Sequence, residues 1–201
     1  MTQGVGVKRV LRLKLAPLFL LLLFATVALG STYHHKYSPL HGTELTHKSS
    51  WTVDYGDGLT VEYALFAEKG VLYDTDVIKE HLVKGAKYTF ASLRARGIQT
   101  KDCRPKETVE VFAVKEVTLN DENRFPAFKD KKIVGLYDPV FAIDNYSTIT
   151  LAEQLPRRYK GTVVHEAAHY WYDRFCLERA NVGDTEEFAE EIEDIYYRSN
   201  K

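Results

Sequence analysis

The stretch GTVVHEAAHYWYDRFCL at residues 161–177 decides the architecture. Val164, Ala168, Trp171 and Phe175 recur at i, i+4, i+7 and i+11, the spacing of an α-helix that buries one stripe. His165 and His169 lie off that stripe, four residues apart and therefore on one face. Alanines at 167 and 168 keep the surface beside them slim. This suits a helix packed under a sheet with its histidine face toward a cleft.

Two imidazoles at i and i+4 can reach a single ion at Zn–N distances of about 2.0–2.1 Å. Glu166 follows the first histidine, about 100° around the helix, where it reaches a water beside the ion rather than the ion itself. Its expected role is general base. Residues 165–169 therefore form the HExxH pattern inside a segment that reads as helix on independent grounds. Zinc needs at least one more protein ligand. No histidine follows His169, and Tyr172 and Phe175 stand where a metzincin carries Gly and His. The third ligand is thus a carboxylate, drawn from Asp173, Glu178, Asp184, Glu186, Glu187, Glu190 and Glu191. Asp173, one turn further along the histidine face, is also placed to hydrogen-bond a zinc histidine.

C-terminal to this helix, residues 185–198 read as another, with Phe188, Ala189, Ile192 and Ile195 as its apolar stripe. Asp184 and Glu187 have the spacing of a capping box, which would occupy Glu187 locally and leave Glu186 available. N-terminal to it, residues 51–55 and 59–66 are β-prone runs flanking Gly56-Asp57-Gly58, a hairpin signal. Residues 76–96 have helical spacing and stop at Gly97. Residues 108–118 alternate as a strand, and 133–136, 140–143 and 148–151 are short apolar runs around Pro139, which favours an edge strand. The order hairpin, helix, strands, helix, helix is that of one α+β domain.

Lys8, Arg9, Arg12 and Lys14 precede an apolar run over 15–29 that ends in Ala28-Leu29-Gly30. This predicts a signal peptide over residues 1–30, cleaved after Gly30, and a secreted protein, extracellular or periplasmic. An uncleaved anchor is the alternative, since the run approaches the ~17-residue lower limit of a tilted span. Residues 31–50, with His34, His35, His41 and His47, read as a flexible polar lead-in, and 51–201 as the folded domain. Hydrophobic residues at 45% and charged residues at 27% are the balance of a globular chain. Without residues 1–30 the chain keeps 23 Lys+Arg against 28 Asp+Glu, which argues against a nucleic-acid partner. No stable membrane partner is expected after cleavage, and a monomer is expected. Cys103 and Cys176 are a candidate disulfide in an oxidising compartment. Asn145-Tyr146-Ser147 is a glycosylation sequon.

HExxH with a Thr-Glu-Glu-Phe-Ala-Glu-Glu run at 185–191 resembles the gluzincins, zinc metallopeptidases with a glutamate on a second helix. Many small gluzincins carry Glu-Gly-x-Ala there. Aligning the alanine with Ala189 puts Glu186 in the ligand position, Glu187 where glycine usually stands, and Glu190 where an acidic residue orients a zinc histidine. The resemblance implies a zincin-like single domain: a small mixed sheet whose edge strand lies above the HExxH helix, with the third ligand on a C-terminal helix. It implies Zn²⁺ held by His165, His169 and Glu186, with Glu166 as general base. Peptide or protein substrates would lie extended along the edge strand, here 140–143 or 148–151. A donor to the developing oxyanion would come from Tyr170, Tyr172, Tyr196 or Tyr197. The alternative is a secreted zinc-binding interaction or toxin-like module without proteolytic activity.

Overall fold

Gly56, Asp57 and Gly58 turn the chain with φ of +85°, +55° and +78°, a left-handed run that glycine adopts without strain. The turn closes with Tyr55 N–H donating to the Leu59 carbonyl (2.8 Å) and Leu59 N–H to that of Gly56 (2.9 Å). It joins β2 (Leu45–Asp54) to β3 (Thr60–Glu68) in an antiparallel hairpin, Trp51 opposite Tyr63. The structure, a computed structural model, describes residues 32–33, 40, 42–101, 103, 108–139, 146–153 and 156–201. The expected signal peptide, His34, His35, His41, the 140–143 run and Asn145 of the sequon lie outside the described residues.

β2 starts at Leu45, inside the segment expected as a lead-in, and the two-residue β1 (Thr32–Tyr33) pairs with it. A bulge between His47 and Ser49 breaks the two-residue alternation, which hides this part of the strand from a periodicity reading. Leu45 is nonetheless fully buried, and His47 hydrogen-bonds Ser50 (2.9 Å).

Helix α1 (Thr75–Ala95) begins at Asp74, whose carboxylate accepts the Asp76 and Val77 N–H groups at 2.9 and 3.1 Å. Gly97, at φ +67°, terminates it. β4 (Thr108–Val114) returns parallel to β3 and is buried on both faces, as a central parallel strand must be. The strand expected to reach 118 stops at Val114. Residues 116–119 form the short α2 (Glu116–Leu119), which leaves Val117 75% exposed. Then follow β5 (Gly135–Asp138), β6 (Tyr146–Ala152), α3 (Pro156–Arg174) and α4 (Thr185–Ser199).

The sheet order is β1-β2-β3-β4-β6-β5, parallel through β3, β4 and β6 and antiparallel on both flanks. The 148–151 run expected at the edge is therefore interior. β5 is the edge strand, and Pro139 follows it where no ladder partner is required.

One face of the sheet buries Tyr63, Val109, Val111, Ile149 and Leu151 against α1 and α3, including all of Val164, Ala168 and Trp171. The other face closes on Leu40, Leu45, Phe66, Phe112, Leu119 and Phe125. α1 and α3 meet at Gly85, where a Cβ would lie 2.6 Å from that of Ala167 and 3.1 Å from the Val164 carbonyl. α4 is tied to α1 by Glu191, which accepts from Ser92 Oγ (3.0 Å) and pairs with Arg96. Cys103 and Cys176 form a disulfide with Cα atoms 6.0 Å apart, fastening the end of α3 to the loop before β4. Residues Thr32–Lys201 make one compact α+β unit. Among the described residues no helix is long and apolar enough to cross a membrane.

Candidate metal centre

Burying the Val164, Ala168 and Trp171 stripe rotates α3 so that His165 and His169 face away from the core, and their Nε2 atoms come within 3.1 Å of each other. The first turn of α4 supplies the third group. Glu186 Oε1 is 3.3 Å from His165 Nε2, and its Oε2 is 3.3 Å from His169 Nε2. One ligand atom from each residue lies within 4.8 Å of the other two.

The geometry at the start of α4 explains why Glu186 rather than Glu187 arrives there. Asp184, at φ −80° and ψ 166°, is the N-cap and accepts the Glu187 N–H at 2.9 Å. Glu187 turns back beside Gly183, 3.2 Å from where a Cβ would stand, and does not line the cleft.

The far side of each imidazole is also held. His165 Nδ1 lies 3.2 Å from Glu193 Oε2, and His169 Nδ1 lies 2.7 Å from Thr185 Oγ1. A carboxylate beside His165 Nδ1 can only accept, so the Nδ1–H points outward and the Nε2 lone pair points inward. Thr185 permits the same tautomer at His169. Burial pushes His165 toward the neutral form, but the Glu193 hydrogen bond and the charges of Glu166 and Glu186 outweigh it and raise its pKa. His169 falls to about 4, through burial first and then the positive charge of His165.

Glu166 is only 5% exposed. Its pKa rises to about 7, chiefly by burial; His165 and the Tyr137 N–H oppose the rise, while Glu186 and Glu193 add to it. That N–H comes from the edge strand, because β5 turns alternate backbone groups away from β6 and toward the helix. Gly135 completes the seat. A Cβ there would stand 2.9 Å from Glu166 Cδ and 2.6 Å from Thr162 Cγ2, so the carboxylate lies directly against a bare Cα. The Tyr137 ring lies nearly parallel to that of His169 (6°, centroids 6.4 Å apart), and its hydroxyl donates to Asp173 Oδ2 at 2.8 Å. Between β5 and the two helices runs a cleft of about 1090 Å³.

Of the other residues anticipated here, Asp173 lines the cleft and accepts the Tyr137 hydroxyl. Glu178, Asp184 and Glu190 also line it, and Glu191 is committed to α1. Glu193, not Glu190, meets the histidine ring. Among the tyrosines, Tyr170 is buried in the aromatic core and Tyr196 and Tyr197 line a different cavity. Tyr172 lines the cleft and donates to the Gly183 carbonyl at 2.8 Å. Its pKa is raised by burial first, then by the charges of Glu178, Asp184 and Asp173.

Thr185, Glu193, Gly135 and Tyr137 were not anticipated. Glu193 had a signal: seven residues after Glu186, it returns to nearly the same face of the helix. The other three had none, because their roles depend on contacts between elements. The chain matches none of the protein-family models, curated proteins or solved structures with which it was compared.

Proposed function

We propose that this chain is a secreted zinc-dependent metallopeptidase of zincin-like, gluzincin-type architecture. The observation that carries the reading is the convergence of His165, His169 and Glu186 beside a buried Glu166 that does not belong to the ligand cluster. Two imidazoles and a carboxylate are donors that suit Zn²⁺ and leave a coordination position open, as catalytic rather than structural sites do. The outward-pointing Nδ1–H of His165 fits the same ion. Bound there, zinc would supply a Lewis acid that acidifies water and polarises a carbonyl.

The chain's own residues would do the rest. His165 and His169 keep their Nε2 lone pairs inward, oriented by Glu193 and Thr185. Glu166, seated on Gly135 and the Tyr137 N–H, takes a proton from water in the cleft and returns it to the departing amine nitrogen. β5 gives an extended peptide a strand edge along which to lie. Secretion is supported by the leader pattern of residues 1–30 and by the Cys103–Cys176 disulfide, which belongs to an oxidising compartment.

The test is metal content by elemental analysis of residues 31–201, wild type beside Glu186→Ala, Glu187→Ala and Glu166→Gln, with peptide hydrolysis measured on the same samples. The expected result is about one zinc per chain, lost in Glu186→Ala and kept in the other two, with hydrolysis abolished in Glu166→Gln. A wild type without zinc would overturn the reading. Zinc without hydrolysis of any peptide would leave the non-proteolytic binding module.

A further inference from the structure

The connector between the two helices of the metal centre starts at a strained residue. Just past the end of α3, Cys176 holds φ +51° and ψ +47°, a left-handed conformation that a side chain such as cysteine seldom adopts. Such a backbone persists only where its surroundings hold it. Here the hold is the bridge to Cys103, whose own N–H donates to the Arg174 carbonyl at 3.1 Å. From Cys176 the chain runs through a turn at Leu177–Ala180 to Asp184, the N-cap of α4, and at once to Thr185 and Glu186. The bridge therefore fixes one end of the segment whose other end places the third ligand.

Other ties limit what the bridge controls. Tyr172 donates to the Gly183 carbonyl at 2.8 Å and Leu177 is fully buried, so the connector keeps part of its path without the bridge. Glu191 anchors the middle of α4 to Ser92 and Arg96. Opening the bridge thus loosens the first turn of α4 and leaves the rest of the helix in place. That turn carries Glu186 and the Thr185 hydroxyl that meets His169 Nδ1. The bridge is also within reach, since Cys103 is exposed and Cys176 half-buried, and exposed disulfides are the ones that exchange with thiols.

Resting on the metal site of the peptidase reading, we propose that the Cys103–Cys176 disulfide is a redox control on that site: closed, it holds Glu186 against both histidines, and opened by a thiol it weakens the grip on zinc. A glutathione thiolate attacks Cys103 Sγ, the exposed sulfur. The S–S bond breaks with its electron pair on Cys176 Sγ, which takes a proton from water. A second glutathione displaces Cys103 from the mixed disulfide, leaving two protein thiols and glutathione disulfide, and closure is the reverse. The site would reach full affinity only in an oxidising compartment, and the chain would hold zinc more weakly before export.

The experiment uses residues 31–201. Zinc affinity is measured by chelator competition on the oxidised wild type and on the double variant Cys103→Ser, Cys176→Ser, with circular dichroism and the fluorescence of the buried Trp171 reporting the fold. The expected loss in the variant is about tenfold, with both fold signals unchanged. Binding couplings are reciprocal, so zinc should in turn make the wild-type bridge about tenfold harder to reduce. In glutathione buffers at fixed free zinc, with thiols trapped and counted by mass, that is a shift of about 30 mV, absent in Glu186→Ala. Equal zinc affinity, a potential indifferent to zinc, or a chain that unfolds without its bridge would overturn the proposal. Peptide hydrolysis on the same samples separates the two readings. Zinc held equally by both proteins with hydrolysis intact sinks the redox control alone, and redox-dependent zinc without hydrolysis sinks the peptidase alone.

Discussion

Replacing Gly85 by alanine tests whether the crossing of α1 and α3 sets the position of the histidine helix. By intrinsic propensity the change should help, since alanine is favoured over glycine inside a helix by about 1 kcal/mol. The contact opposes it. The new Cβ would stand 2.6 Å from Ala167 Cβ and 3.1 Å from the Val164 carbonyl oxygen, and neither can rotate aside. Overpacking of this kind costs roughly 1–3 kcal/mol, and contact with backbone puts it in the upper half of that range. The expected net effect is a loss of about 1–2 kcal/mol. Ala167→Gly alone should also destabilise, through propensity and a lost methyl, by about 2 kcal/mol. Together the two changes exchange the methyl across the contact, so their combined loss should fall short of the sum by at least about 1 kcal/mol. Urea unfolding followed by the fluorescence of Trp51 and the buried Trp171 reads all four corners of the cycle. A Gly85→Ala protein more stable than wild type, or strictly additive losses, would refute the argument.

Gly135→Ala should lower the urea midpoint, because its Cβ meets the buried, β-branched Thr162 at 2.6 Å, and should lower peptide hydrolysis about 100-fold by shifting the Glu166 carboxylate. Glu193→Gln should weaken zinc binding about 10- to 100-fold, measured by chelator competition, while Glu190→Gln changes it little. Removing the disulfide with Cys103→Ser and Cys176→Ser should cost about 4 kcal/mol by loop entropy over its 73-residue separation, read by urea unfolding in non-reducing buffer. Burial holds the pKa of His81 below its ordinary value, with Nδ1 donating to the Val77 carbonyl (2.8 Å) and Nε2 3.3 Å from Tyr196 Oη. The unfolded chain therefore binds this proton more readily, and stability should fall as pH drops below about 6.5. His81→Gln should flatten that part of the wild-type pH–stability curve, and an identical slope in both proteins would count against it.

Features that depend on neighbours in the chain were legible in the residues. The period of Val164, Ala168, Trp171 and Phe175 requires a helix with one buried face, and it places His165 and His169 together off that face. Asp184 three residues before Glu187 is a cap, and Gly56-Asp57-Gly58 is a hairpin turn, because a few bonds settle each conformation. The bulge in β2 escaped for the converse reason, and β5 was legible only in part, as the 133–136 run beside Pro139 that pointed to an edge strand two residues early. A bulge erases the alternation that marks a strand, and the four residues of β5 are too few to show one.

Tertiary structure alone decided what meets what. A helical period sets the face of a side chain relative to its own axis, and says nothing of how far a second helix is shifted or turned against the first. That relation follows from side-chain volumes at the crossings, such as the missing Cβ of Gly85 against Ala167 and the ties of Glu191 to Ser92 and Arg96. It brings Glu186 to both imidazoles, Glu193 to His165 and Thr185 to His169. The pairing of β5 with β6 likewise puts Gly135 and the Tyr137 N–H against Glu166. HExxH specified two nitrogens and a carboxylate on one helix, and the packing of α4 and β5 against α3 gathers them with Glu186 into a cluster that could hold a metal ion.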